Sequence, residues 1–180
     1  MARYAQSDYA VVMAKTHFKG TEANTNGNLP EVGSTIPEFS LVGADLADIT
    51  NATLAGKRVI FNIFPSIDTG ICAQSVRRFN EAVTKLDNTA VVCASADLPF
   101  AHARFCGAEG IDNVMAGSGF RSSFGEDFGV LLTDSPLQGL YARAVIVTDV
   151  DGTVLHTELV EEIGTEPTYS KALEVLEELA

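Results

Sequence analysis

Three cysteines, Cys72, Cys93 and Cys106, are the residues of this 180-residue chain best suited to chemistry. Cys72 follows an apolar run, 59–64, which predicts a buried strand, and Pro65, which ends that strand because proline cannot donate to a sheet ladder. From Cys72 onward, apolar residues recur every three or four positions, which predicts a helix. In the first turn of a helix, unpaired N–H groups and the helix dipole favour a thiolate. The position of Cys72 therefore favours a reactive nucleophile. A low thiol pKa also needs partial exposure, which the sequence does not show, so a cysteine that only happens to fall in a first turn stays the alternative.

The other two cysteines have different settings. Cys93 lies within an apolar run, 91–94, where a cysteine behaves as a small hydrophobic residue, so we expect a buried, inert thiol. Cys106 is followed by Gly107 near the end of a predicted short helix, where the dipole disfavours a thiolate. Such a thiol suits attack on a partner that has already been oxidised, but a cysteine at this position is also commonly a packing residue. The residues alone leave both interpretations open.

Two further side chains are candidates to support the Cys72 thiolate. Thr69 lies three residues before Cys72, so its hydroxyl can either cap the helix or donate to the sulfur. Arg143 precedes a buried apolar strand, 144–148. An arginine there can hold an anion, whereas the ordinary interpretation is a surface arginine.

Several other kinds of site are not predicted. The histidines are isolated and share no ligand spacing with the cysteines, which argues against zinc. The segment 149–152 only faintly resembles a calcium loop, because Val160 stands where the closing glutamate belongs. The lack of a Cys-x-x-Cys pair argues against a thioredoxin or a disulfide isomerase.

Composition bounds the class of protein and its partners. The length predicts one domain over 16–180, preceded by a flexible extension over 1–15. A formal charge of −12 argues against nucleic acid and anionic membrane surfaces as partners. No apolar run is long enough to span a bilayer, and the run 9–14 is too short for a signal peptide, so we expect a cytoplasmic protein with reduced thiols.

The order of predicted elements indicates an α/β fold. A hairpin is expected over 16–32, turning at Asn26-Gly27, and a second hairpin at Asp151-Gly152. Strands are predicted at 39–41, 59–64, 90–94, 113–116, 144–148 and 153–160, and helices at 70–86, 99–107 with Asp97 as cap, 120–128, and from Thr165 to the C-terminus. Alternating strands and helices followed by a hairpin predict a thioredoxin-like fold, in which helices flank a mixed central sheet.

Three sequence blocks resemble one known family. The segment from Pro65 to Cys72, PSIDTGIC, resembles the peroxiredoxin active-site motif Pro-x-x-x-Thr-x-x-Cys, in the form found in bacterial thiol peroxidases, the atypical two-cysteine branch. The blocks at 96–110 and 136–145 resemble the same branch. The resemblance runs from about His17 to the C-terminus.

The resemblance implies a thioredoxin fold with an added N-terminal β-hairpin, and it assigns roles to residues. Cys72 would be the peroxidatic cysteine and Cys106 the resolving cysteine, while Pro65, Thr69 and Arg143 would shape and charge the pocket. It implies reduction of hydrogen peroxide or of alkyl and lipid hydroperoxides without a metal or organic cofactor. It also implies recycling by thioredoxin and a homodimer.

Geometry adds an expectation about the two cysteines. Cys72 begins one predicted helix and Cys106 ends the next, so right-handed crossovers place them at opposite edges of the sheet. A disulfide requires Cα atoms within about 7 Å. We therefore expect local unwinding around both residues before they join.

Two other functions fit the same residues. A peroxide sensor would form the same disulfide but turn over poorly with thioredoxin, and no appended partner-binding domain is visible. A non-enzymatic binding protein of the same fold would use its cysteines only for packing. A sulfenic-acid trap separates this second alternative from an enzyme, because only the enzyme is labelled at Cys72.

Overall fold

A mixed sheet forms the centre of the computed structural model, which describes residues 13–178. Within these residues the strand order is β4-β3-β7-β6-β5-β8-β9. The strands of this sheet are β3 (Ser40–Gly43), β4 (Asp48–Thr50), β5 (Arg58–Ile63), β6 (Thr89–Ser95), β7 (Met115–Ser118), β8 (Ala144–Thr148) and β9 (Val154–Leu159). The helices are α1 (Gly70–Ala82), α2 (Pro99–Glu109), α3 (Phe124–Asp127) and α4 (Tyr169–Glu177), with short 3₁₀ turns at Ala52–Leu54 and Val83–Lys85. A separate hairpin joins β1 (Lys15–Phe18) to β2 (Thr21–Asn24). The predicted α/β class, with a mixed sheet and an N-terminal hairpin, is confirmed.

The central strands set the position of the two following helices. Strands β5 and β6 are parallel, with Val59 opposite Ala90 and Ile63 opposite Ala94. Both strands are buried on both faces, which explains their nearly continuous apolar sequences. Because parallel strands end at the same edge of a sheet, α1 and α2 both begin at that edge.

Each face of the sheet carries its own apolar core. On one face Phe39, Phe61, Phe124 and Phe128 pack together, with ring centroids 4.1 Å apart for the last pair. The opposite face packs against α1 and α4. The alternation of side chains along β5 divides its residues between these two cores, so the strand fixes both layers at once.

The first hairpin turns at a different place from the prediction. Lys19 and Gly20 have φ angles of 52° and 78°, as the two central residues of a type I′ turn require. The predicted turn at Asn26-Gly27 is wrong. Instead, the side-chain Nδ2 of Asn26 donates to the carbonyl of Glu126, and its side-chain Oδ1 accepts from the backbone amide of Leu131. Asn26 thus attaches the hairpin region to the main domain.

The ends of two helices also differ from the prediction. Helix α4 begins at Tyr169, because Glu158 accepts hydrogen bonds from the amide and hydroxyl of Thr168 and holds that residue in a non-helical conformation. The predicted cap, Thr165, bonds instead to the carbonyl of Glu162. Helix α3 is confined to Phe124–Asp127, since the preceding residues form turns. The predicted extension over 1–15 falls mostly on residues outside the described range.

Two glycines with positive φ angles provide a matched test of packing. Gly129 has a φ of 67°, and a Cβ there would lie 2.0 Å from the backbone oxygen of Asn28. Gly110 has a φ of 65° but no heavy atom within 4 Å of such a Cβ. We predict that Gly110→Ala lowers the free energy of unfolding by about 1 kcal/mol through strain alone. Gly129→Ala should cost about 2 kcal/mol more, because the backbone must also move. Urea unfolding of both variants measures the difference, and equal losses would contradict this packing account.

Candidate active site

Cys72 lies in the first turn of α1, directly beyond the carboxyl end of β5. The chain leaves β5 through Phe64 and the buried Pro65, turns over 66–68 and enters the helix after Thr69. The Cys72 side chain is fully buried within the apolar core beneath α1. Thr69 and Gly70, which precede it in the same turn, are exposed.

Thr69 directs its hydroxyl at the cysteine. The Oγ1 atom lies 2.7 Å from Cys72 Sγ and 3.1 Å from the carbonyl oxygen of Ser66. Although Thr69 occupies the N-cap position of α1, its side chain makes no capping hydrogen bond. The hydroxyl has a single proton to donate, and its contact with the sulfur is shorter than its contact with the Ser66 carbonyl. Of the two roles predicted for Thr69, the geometry selects the contact to sulfur.

Arg143 supplies a positive charge at the same sulfur. Its side chain is only 2% exposed, so it is not a surface arginine. Nη2 lies 3.3 Å from Cys72 Sγ, and Nε donates to the carbonyl of Ile163 at 2.8 Å. Nη1 is buried and has no hydrogen-bond partner within residues 13–178. The Nη1 amino group of this buried cation can therefore donate to a further acceptor placed close to the sulfur.

The N-terminal hairpin holds the segment that anchors Arg143. The amide of Ile163 donates to the carbonyl of His17 at 2.8 Å, and the amide of His17 donates to the carbonyl of Glu161 at 2.7 Å. The buried hydroxyl of Thr16 donates to the carbonyl of Val160 at 2.7 Å. Strand β1 thus fixes the backbone that presents the Ile163 carbonyl to the arginine. The sequence carries no signal for this contact, because a backbone oxygen has no residue type.

Asp97 holds the loop before Cys72 and was missed as a site residue. Its carboxylate accepts hydrogen bonds from the Ile67 amide at 2.7 Å, the Ser66 hydroxyl at 2.8 Å and the Ser95 hydroxyl at 2.6 Å. The prediction that Asp97 caps α2 is wrong, since the N-cap is Leu98 and no side chain caps that helix. An aspartate shortly before a helix that begins with proline matches the pattern of an N-cap. That local pattern gives no indication of the contacts that Asp97 makes with Ser66 and Ile67.

Cys93 is remote from solvent and chemically quiet. It is 1% exposed on β6, and burial raises the pKa of its thiol to about 12. Its neighbour Asn62 donates to Ser75, whose hydroxyl donates to the carbonyl of Cys72 at 2.8 Å. These contacts link the first turn of α1 to the sheet. The buried, inert thiol that the sequence predicts agrees with this setting.

Cys106 lies on α2 and is partly buried. Burial raises the pKa of its thiol, and all three cysteines are free. It comes seven residues after Pro99, about 10 Å along the helix axis from the sheet edge where Cys72 lies. Helix α2 continues to Glu109 before Gly110 adopts a left-handed φ of 65°. Cys72 lies within the apolar core beneath α1, and Cys106 packs against the same core from α2.

Two classes of site find no support in the described residues. Between residues 13 and 178, no three side chains of the metal-binding types form a group that could hold an ion. No helix in that range has the length and apolar character to cross a bilayer.

Comparisons with known proteins point to one family. The Redoxin family profile matches residues 31–176. A thiol peroxidase of Corynebacterium glutamicum is 56% identical over 164 residues, covering 91% of this chain and 99% of that protein. A thiol peroxidase of Mycobacterium tuberculosis is 53% identical over 164 residues, with the same coverage of 91% and 99%.

The comparison with solved structures leads to the same family. A peroxiredoxin-like protein from Aquifex aeolicus matches with a TM-score of 0.88 and 34% identity, covering 93% of this chain and 99% of that one. A thiol peroxidase from Chromobacterium violaceum matches with a TM-score of 0.82 and 21% identity, covering 91% and 95%, which shows a shared fold. The predicted thioredoxin-like fold is thereby confirmed. The family match and the identities over nearly the whole chain show that this protein belongs to the redoxin family, among the thiol peroxidases of the peroxiredoxins.

Proposed function

We propose that this protein reduces hydroperoxides through the thiolate of Cys72. One observation carries the proposal: a hydroxyl and a guanidinium both contact the Cys72 sulfur, and the buried Nη1 of the same guanidinium has no hydrogen-bond partner among residues 13–178. A thiolate alone needs only the first two donors. The third donor suits a peroxide oxygen placed beside the sulfur.

The reaction proceeds by nucleophilic substitution at oxygen. The Cys72 thiolate forms an S–O bond to one peroxide oxygen while the O–O bond breaks, and the leaving oxygen takes a proton to become water or an alcohol. Negative charge moves from sulfur to the leaving oxygen. Arg143 and Thr69 are fixed before the reaction, so they stabilise that charge without having to reorganise. The product is a Cys72 sulfenic acid, and the buried Pro65 limits the access of water.

Cys106 is proposed to resolve the sulfenic acid. Its thiol forms an S–S bond with Cys72 and water leaves, after which a thioredoxin dithiol reduces the disulfide by exchange. The raised pKa of Cys106 keeps it from competing with Cys72 for peroxide. The separation of the two thiols along α2 supports the expectation that the first turn of α1 and part of α2 must open.

The wider role follows from the family. We propose hydrogen peroxide and alkyl or lipid hydroperoxides as substrates, with thioredoxin as the reductant. A homodimer, a cytoplasmic location and a part in antioxidant defence stay predictions from the same resemblance. The sulfur lies in an apolar core, which supports acceptance of apolar hydroperoxides.

Removing each thiol separates the two steps. We predict that Cys72→Ser abolishes peroxide turnover with thioredoxin and its reductase, because among the three cysteines only the Cys72 sulfur accepts from both a hydroxyl and a guanidinium in the described structure. Cys106→Ser should consume about one equivalent of peroxide and then stop, because the sulfenic acid is not resolved. Coupled peroxide consumption and mass spectrometry of the protein measure both outcomes. Cys93→Ser is the matched control and should turn over normally.

Removing each donor tests the arrangement around the sulfur. We predict that Thr69→Val and Arg143→Gln each slow Cys72 oxidation by about 10²-fold or more, as expected for loss of a fixed donor to developing charge. Thr69→Ser keeps the hydroxyl and should retain most of the rate. Rapid-quench trapping of the sulfenic acid measures the rate constant. Rates for Thr69→Val and Thr69→Ser that are equal would contradict a role for the hydroxyl.

The pKa directions predict how the other thiols titrate. The pKa of Cys106 is raised by burial, so its thiol stays protonated at neutral pH and gains thiolate only at higher pH. Alkylation of Cys106 by iodoacetamide should therefore still rise above about pH 8.5, where an ordinary cysteine begins to level off. Cys93 should resist alkylation until the protein unfolds, and concentrated urea provides that control. A Cys106 rate that levels off below about pH 8 would contradict the effect of burial.

A further inference from the structure

We propose that Asp97 is a positioning residue that fastens the loop before Cys72 to the start of helix α2, so that it promotes peroxide attack and slows disulfide formation. The inference rests on the proposed function, because it assigns opposite effects on the two proposed steps. Asp97 contacts neither the sulfur nor the substrate site. It acts through the backbone that carries Pro65 and Thr69.

The carboxylate of Asp97 bridges two segments of chain. From the loop it accepts the Ile67 amide at 2.7 Å and the Ser66 hydroxyl at 2.8 Å. From the end of β6, two residues before Asp97, it accepts a hydrogen bond from the Ser95 hydroxyl at 2.6 Å. Hydrogen bonds to an ionised carboxylate are the strong ones, and each of these donors has one proton to give. Asp97, which lies outside the loop, therefore holds the loop through the hydrogen bonds from Ser66 and Ile67.

The same carboxylate is tied to α2. The Ser95 hydroxyl gives its proton to Asp97, so the 3.0 Å contact between Ser95 and His102 Nε2 requires the imidazole to donate. His102 is fully buried on α2, the helix that carries Cys106. The backbone carbonyl of Asp97 also accepts from the Ser118 hydroxyl at the end of β7. The loop before Cys72, helix α2 and the end of β7 are thus all connected through Asp97.

A second contact joins the loop to the helix on the surface. Arg104 of α2 forms an ion pair with Asp68, and both side chains are mostly exposed. Exposed pairs contribute little, because water and salt screen them. Asp97 is partly buried and makes three hydrogen bonds, so it dominates the attachment.

The attachment must be released for the cysteines to meet. Thr69 and Arg143 hold Cys72 only while the loop and the first turn of α1 keep their folded positions. Disulfide formation needs the Cα atoms of Cys72 and Cys106 within about 7 Å. Because Cys106 lies about 10 Å along α2 from the sheet edge where Cys72 lies, the proposed resolving step requires the helix ends to open. Weakening the Asp97 contacts raises the population of the opened form and lowers that of the form that reacts with peroxide.

The test is a rapid-quench comparison of wild type and Asp97→Asn, which keeps the shape and removes the charge. Reduced protein is mixed with hydrogen peroxide, and mass spectrometry follows Cys72 sulfenic acid, the Cys72–Cys106 disulfide and over-oxidised Cys72 sulfinic acid. We expect sulfenic acid formation to slow by about tenfold, because the donors are misplaced. We expect disulfide formation to speed up by about three- to tenfold, and sulfinic acid to fall accordingly.

Asp151→Asn is the matched control. Asp151 accepts the amide of Thr153 at 2.9 Å in the turn between β8 and β9, a carboxylate hydrogen bond that touches neither the loop before Cys72 nor the segment that anchors Arg143. It should change neither rate constant. If it shifts both in opposite directions as well, the effect is general loosening and the proposal is overturned.

A second variant covers a failure of Asp97→Asn to fold. Ser66→Ala removes one donor on the loop side, keeps the carboxylate with its other two partners, and should give a smaller change in the same two directions. Both rate constants falling together, or neither changing, would overturn the proposal. If wild type forms no disulfide at all, the proposed resolving step fails, and the inference fails with it. A wild-type disulfide with unchanged variants overturns the inference alone.

Discussion

The contact between the guanidinium of Arg143 and the sulfur of Cys72 is the constraint on which the rest of the site depends. A cation that is 2% exposed is costly to bury unless it is paired, and its described hydrogen-bond acceptors are one backbone carbonyl and this sulfur. A thiolate is the natural partner for that charge. The pairing also explains why Arg143 stands at the start of a buried strand, where the sheet holds its backbone rigidly.

This one contact requires support from parts of the chain that are far apart in sequence. The hairpin β1–β2 fixes the backbone around Ile163, which anchors the guanidinium, while Asp97 fixes the loop that brings Thr69 to the sulfur. Both supports act on backbone groups. Sheet and hairpin therefore hold the arginine, while hydrogen bonds to Asp97 hold the loop before the cysteine. Formation of the proposed disulfide requires this loop to move.

The sequence could predict the groups at the site whose position follows from a local pattern. Cys72 in the first turn of α1, the buried β5 and β6, and the setting of Cys93 all follow from periodicity and capping rules. The turn at Lys19-Gly20 was missed because Asn26-Gly27 has the stronger local signal, which the fold uses for docking. Asp97 and the Ile163 carbonyl could not be recognised, because their partners come from distant segments and one of them is a backbone atom.

The central claim is that the donors around Cys72 accelerate its reaction with peroxide in particular, beyond making it a thiolate. The most direct measurement uses protein carrying Cys93→Ser and Cys106→Ser, and compares the rate constants of Cys72 with hydrogen peroxide and with iodoacetamide against those of free cysteine thiolate. The account predicts that the ratio of the peroxide rate to the alkylation rate exceeds that of free cysteine by about 10³-fold or more, because only peroxide places charge on an oxygen within reach of Arg143. A ratio equal to that of free cysteine would contradict it.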